Sequence, residues 1–123
     1  MTKLTIRIDF AADAAFGPGK ARLLELVDET GSIRNAASNM GMSYRQAWLL
    51  LKDIDQAIGA PATRTRTGGA KGGGTSLTEA GRTVVDCYRA IEARATASAS
   101  AELRALSRLA AGSRKRQKDS TKS

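Results

Sequence analysis

Ser32-Ile33-Arg34-Asn35-Ala36-Ala37-Ser38-Asn39-Met40-Gly41-Met42-Ser43-Tyr44-Arg45-Gln46-Ala47-Trp48-Leu49-Leu50-Leu51-Lys52-Asp53-Ile54 reads as two helices joined by a tight turn. Ile33, Ala36, Ala37 and Met40 follow the i, i+3, i+4, i+7 spacing of one helical face, and Ser32 stands where an N-cap belongs. Gly41 supplies the left-handed residue that stops the first helix. Ser43 caps a second helix, whose Ala47, Leu50, Leu51, Ile54 and Ile58 repeat the pattern. Small residues at Ala36 and Ala37 permit close approach, and the short Gly41-Met42 link allows a steep crossing. Such a pair can lay one helix across a phosphate backbone and insert the other into a major groove.

The stretch carries charge as well as shape. Residues 32–78 hold six basic and two acidic side chains, a net of +4, whereas residues 1–31 hold four basic and five acidic. Residues 112–123 add five basic against one acidic. A polyanion is the natural partner for both basic segments. Histidine is absent and Cys87 is the only cysteine, which excludes Ser-His-Asp triads, Cys-His pairs, the common zinc sites and an intramolecular disulfide. The composition argues against an enzyme and for a chain with no metal or cofactor. No apolar run approaches the length of a membrane span and no signal-peptide pattern is present, so a cytoplasmic protein with no membrane partner is expected.

Working outward, Leu23, Leu24 and Val27 mark a preceding helix that runs to about Thr30 and stops at Gly31, with Glu25, Asp28 and Glu29 on its outer side. Before it, Leu4, Ile6, Ile8 and Phe10 alternate with polar residues as in a strand with one buried face, and its partners are expected after residue 60. Beyond Pro61, Thr63-Arg64-Thr65-Arg66-Thr67 and Thr75-Ser76-Leu77 read as two strands around a glycine-rich basic loop, residues 68–74. Directly after a helix-turn-helix, that hairpin is a wing. Arg64, Arg66 and Lys71 are placed to meet phosphates or a minor groove. A nucleotide-binding loop is disfavoured, because Lys71 is followed by Gly72 rather than by Ser or Thr opening a helix.

From Thr78 a helical pattern continues through Val84, Tyr88, Ile91, Ala95, Ala99, Leu103, Leu106 and Ala110. The stripe exceeds what a small core can cover. It predicts a homodimer joined through Val84, Tyr88, Ile91, Leu103 and Leu106, unless the helix folds back at Thr96-Ala97-Ser98. From Gly112 no apolar residue remains, and a disordered basic tail is expected. The organisation read from the sequence is therefore 1–77 winged helix-turn-helix, 78–111 long dimerisation helix and 112–123 tail; the fold class is mainly α with a small β-sheet.

Glu29-Thr30-Gly31-Ser32-Ile33, Ala36-Ala37, Met42-Ser43-Tyr44-Arg45-Gln46-Ala47-Trp48, Arg66-Thr67-Gly68-Gly69, Gly72-Gly73-Gly74 and Leu77-Thr78-Glu79-Ala80-Gly81 resemble the N-terminal DNA-binding domain of ModE-type molybdate-responsive regulators, and more distantly LysR-type regulators. The likeness covers about residues 3 to 92. It implies a homodimeric binder of double-stranded DNA, with Ser43, Tyr44 and Arg45 facing the major groove and Arg64, Arg66 and Lys71 serving the wing. Arg45 is the candidate for a bidentate guanine contact; a phosphate contact is its alternative. Gln46 and Lys52 are weaker candidates facing solvent or phosphate. Trp48 is expected to pack beneath the wing. Full-length regulators of this type carry molybdate-binding modules after the wing, whereas here a helix and a basic tail follow, so no molybdate binding is expected of this chain. A winged-helix module that binds a protein instead of reading DNA is the alternative function.

Overall fold

The computed structural model describes the backbone of residues 2–68 and 73–120, with side chains through residue 113. The order is β1 (Ile8–Ala11), β2 (Ala14–Phe16), α1 (Pro18–Thr30), α2 (Ile33–Asn39), α3 (Tyr44–Ile58), β3 (Thr63–Arg66), β4 (Gly74–Leu77), α4 (Glu79–Ser98) and α5 (Ser100–Ser120). The class is mainly α, 64% helical, with two small antiparallel sheets. Two compact units are formed: Ile6–Arg89, and Met1–Thr5 together with Ala90–Ser123.

In the larger unit α1, α2 and α3 pack on one another around Leu23, Leu24, Val27, Ala36, Ala37, Ala47, Leu51 and Ile54. The punctuation is local chemistry. Pro18 opens α1 behind Gly17, and Gly31 closes it in the left-handed region at φ 70°. Ser32 Oγ accepts from Asn35 N–H at 3.1 Å to start α2. Gly41 turns left-handed at φ 67°, and Met42 N–H donates to Ala37 O at 3.0 Å, so only three residues separate α2 from the Ser43 cap of α3.

Among the described residues the N-terminal strand finds no partner beyond residue 60. β1 pairs with β2 in a tight hairpin, Ile8 opposite Phe16 and Asp9 opposite Ala15, with a register shift before Ala11. Local pairing closes a very short loop at little entropic cost, and the later hairpin is already paired with itself. The shift also breaks the expected face: Ile6 and Ile8 pack against the core, but Phe10 is exposed.

β3 and β4 pair in register, Thr63 with Leu77 and Arg66 with Gly74. Thr75 N–H donates to Gly31 O at 2.9 Å, which fixes this hairpin to the end of α1. Thr78 N–H donates to Ala62 O at 3.0 Å, and Thr78 Oγ1 both donates to Pro61 O and accepts from Gly81 N–H, so one residue closes the hairpin and caps α4.

A boundary after residue 77 is displaced to Arg89, because the first turns of α4 belong to the core. Val85 and Tyr88 are buried there, Tyr88 at 1% exposure. Its ring meets Phe16 edge-on with centroids 5.2 Å apart, and its hydroxyl donates to Ile6 O at 2.6 Å. Tyr88 is thus a core residue of one chain and has no surface left to offer a dimer partner. Val84 is half-buried against the same cluster.

In the smaller unit the single long helix expected over 78–111 is divided at Ala99. Helical hydrogen bonds still reach that residue from both sides: Ala99 N–H to Ala95 O and Leu103 N–H to Ala99 O, each 2.9 Å. Thr2 and Ser107 share a hydroxyl hydrogen bond. α5 continues past Gly112 to Ser120, so the stretch expected to be a disordered tail is helical over 112–120. Arg, Lys and Gln are good helix formers, which offsets the cost of one glycine. Residues 121–123 of that segment lie outside the described residues.

Candidate nucleic-acid interface

The side chains singled out in the sequence divide between α3 and the β3–β4 hairpin. α3 is oriented by its apolar face: Ala47, Leu51 and Ile54 are buried, with Leu50 and Ile58 packed against the cluster. The opposite face therefore turns outward with Tyr44, Arg45, Trp48, Leu49 and Lys52, all exposed.

Its first turn is held by a capping box. Ser43 Oγ accepts from Gln46 N–H at 3.1 Å while Gln46 Oε1 accepts from Ser43 N–H at 3.2 Å. Two orphan donors are satisfied, worth about 1 kcal/mol in such caps. Ser43 and Gln46 thereby serve the helix start, and the Gln46 oxygen is already engaged.

Trp48, expected to pack beneath a wing, is instead an exposed side chain. It is 44% exposed, and Lys52 Nζ lies 5.2 Å from its ring centroid, one turn further along α3. The buried positions of α3 fall on the other side of the helix, which leaves Trp48 outward with Tyr44. Over the Tyr44 ring, at 5.3 Å, stands the guanidinium of Arg34 from α2. Each such contact contributes about 0.5–1 kcal/mol at an exposed site and limits where the ring can point. Arg34 escapes a sequence reading because nine intervening residues, a turn among them, separate it from Tyr44, a spacing no helical periodicity connects.

On the hairpin, Arg64 and Arg66 alternate with Thr63 and Thr65 and so share one face of β3. Thr65 and Thr75 exchange a hydroxyl hydrogen bond at 3.3 Å across the pair. Arg64 and Arg66 are exposed. Among the described residues no hydrogen bond, ion pair or ring contact joins them to α3, and neither they nor Arg45 have an acidic partner. Lys71 lies outside the described residues. Near the hairpin's base, Ala62 N–H donates to Asp55 Oδ1 at 2.8 Å, so one of the two acids of residues 32–78 is spent on structure.

The acidic outer side of α1 is paired. Arg89 reaches Glu25 through two bonds, 2.8 and 3.0 Å, Arg82 reaches Asp28 at 3.3 Å, and Arg22 reaches Glu29 at 3.5 Å. The Arg89 hydrogen bond holds the Glu25 carboxyl below its ordinary pKa, aided by the charges of Arg89 and Arg22 and opposed by partial burial. Arg82 and Arg89 of α4 are thus taken up by acids, whereas among the described residues the cations of α2, α3 and β3 have no acidic partner. Of the expected dimer residues, Ile91 and Leu106 are exposed at 43% and 55%, Leu103 is half-buried, and Leu109 adds a further exposed leucine. Among the described residues no group of three or more His, Cys, Asp or Glu side chains is gathered to hold a metal ion. No described helix is long and apolar enough to cross a membrane.

Compared with known proteins, the chain is 36% identical over 85 residues to the molybdenum transport protein ModE of Azotobacter vinelandii, covering 69% of this chain and 32% of that protein. It is 39% identical over 80 residues to the molybdenum-pterin-binding protein MopB of Rhodobacter capsulatus, 65% of this chain and 30% of that one. It is 32% identical over 71 residues to the DNA-binding transcriptional dual regulator ModE of Escherichia coli K12, 58% of this chain and 27% of that one. The chain therefore spans about a third of the length of the curated relatives it matches. No protein-family profile matches it.

Proposed function

We propose that this chain, a homologue of the ModE and Mop molybdenum regulators over the segment it shares with them, is a sequence-specific DNA-binding transcriptional regulator that works as a homodimer. In this reading α2 and α3 are a helix-turn-helix pair and the β3–β4 hairpin is its wing. The observation that carries it is the outward face of α3, where Arg45 and Lys52 stand exposed on a helix whose rotation is fixed by Ala47, Leu51 and Ile54. A recognition helix needs this: a rigid back and a cationic front entering a groove. Arg64 and Arg66 supply backbone contacts from the hairpin. Ile91, Leu103, Leu106 and Leu109 offer apolar surface to a second copy.

A titration of the full chain on duplexes from a random pool, repeated at several salt concentrations, tests the reading. A steep loss of affinity with salt and a clear preference for selected duplexes are expected. Binding that neither responds to salt nor discriminates among sequences would refute it. Molybdate is not expected to change this chain's affinity, and adding it to the same titration checks that.

A further inference from the structure

The outward face of α3 carries more apolar surface than phosphate binding requires. Tyr44, Trp48 and Leu49 are 46%, 44% and 45% exposed. At about 100° per residue they share an arc of roughly 140° with Arg45 and Lys52. Left in water, such side chains forgo about 25 cal/mol for each Å² of apolar surface that a partner could cover. Leu49 makes the case hardest to dismiss, since leucine has no polar tip to solvate.

Cations line this strip beside Tyr44 and Trp48, and the exposed Asp53 lies one turn beyond Leu49. Arg34 sits over Tyr44 and Lys52 over Trp48, so the cations also steady the two rings. A fitting partner is anionic at its edges and presents apolar groups between them. The DNA major groove has that composition, with phosphates along its walls and the thymine C5-methyl as the apolar group among its base edges. A neutral protein surface would match Leu49 but leave Arg34, Arg45 and Lys52 without counter-charges.

Resting on the DNA-reading function proposed above, we infer that Tyr44, Trp48 and Leu49 are specificity residues that recognise thymine C5-methyl groups. From Tyr44 to Leu49 the helix rises about 7.5 Å, roughly two base-pair steps, so the methyls read fall within about three consecutive pairs.

The test uses the full chain and the duplex it prefers from a random pool. Each thymine is replaced singly by deoxyuridine, which removes the methyl and keeps every hydrogen-bonding group. Uracil at one or two positions in a half-site is expected to weaken binding about four-fold, the effect of exposing one buried methyl-sized group. In Leu49→Ala, an exposed position given a better helix former, the penalty at one of those positions disappears while circular dichroism is unchanged. Selective binding with uracil neutral everywhere overturns the inference and leaves the DNA-reading function standing. No preference for any duplex overturns both. Trp48 is the sole tryptophan, so its emission reports this face directly. A shift with protein concentration in the absence of DNA would assign the strip to another copy of the chain and also overturn the inference.

Discussion

Arg89 clasps Glu25 through two charge-assisted bonds, Nη2 to Oε1 at 2.8 Å and Nε to Oε2 at 3.0 Å, and so ties α4 to α1 across 64 residues of sequence. The same guanidinium lies 5.7 Å from the Tyr88 ring. Glu25 has a lowered pKa in the fold, first because of the Arg89 hydrogen bond. Its contribution is therefore present above the ordinary carboxylate pKa and is lost as pH falls through the folded value. Both side chains are partly solvated, so Glu25→Gln should cost only about 0.5–1 kcal/mol at pH 7. The gap between variant and parent should narrow below about pH 4. Urea unfolding at pH 7 and pH 3 measures it; a gap independent of pH would mean the pair contributes nothing.

Tyr88→Phe removes the hydroxyl that donates to Ile6 O and strands that carbonyl. A loss of about 1 kcal/mol is expected in thermal unfolding. Self-association should be unchanged, since the ring is inside one chain; a weakened dimer would return Tyr88 to an interface.

Gly81 passes the hairpin so closely that a Cβ would sit 2.1 Å from Ala62 O. Although alanine is worth about 1 kcal/mol over glycine in an open helix, Gly81→Ala should destabilise by about 2 kcal/mol or more. Gly112→Ala, with nothing within 4 Å, is the matched control and should raise helicity instead. Equal effects at the two sites would contradict the close approach.

Arg45→Ala and Arg66→Ala separate base reading from anchoring. The first should flatten preference at one base position by about 1–3 kcal/mol. The second should weaken all duplexes alike and lower the salt slope by about one. Identical behaviour in competition titrations would erase the distinction between α3 and the hairpin.

Leu106→Glu places a charge on an exposed apolar site of α5, 55% exposed in one chain. The chain should fold as before yet dissociate at protein concentrations at least about ten-fold higher, judged by sedimentation. An unchanged association constant would remove α5 from the proposed interface.

The elements from Gly17 to Leu77 could be read in order because their limits are written locally. Pro18, Gly31, Ser32, Gly41, Ser43 and Gly59 each act within a turn of where they stand. The basic character of α3 and the hairpin was equally open, being a matter of which residues are present. Outcomes that depend on competition between segments are not written locally. β1 chose β2 over later strands through its bulged hairpin, and the stripe from Val84 to Leu106 looked uniform although Tyr88 turns into the core beside Phe16.

What the residues determined alone is the succession of helices, caps and turns and the excess of positive charge, since these follow from backbone preferences and side-chain chemistry within a few positions. Tertiary structure alone decided which cations stay open and which aromatics stay outside. Arg82 and Arg89 are taken by acids of α1, Arg34 is brought over Tyr44, and Trp48 is turned away from the core. Those assignments depend on how α3 and α4 rotate when their apolar faces pack, and that rotation is set by contacts between residues far apart in the chain.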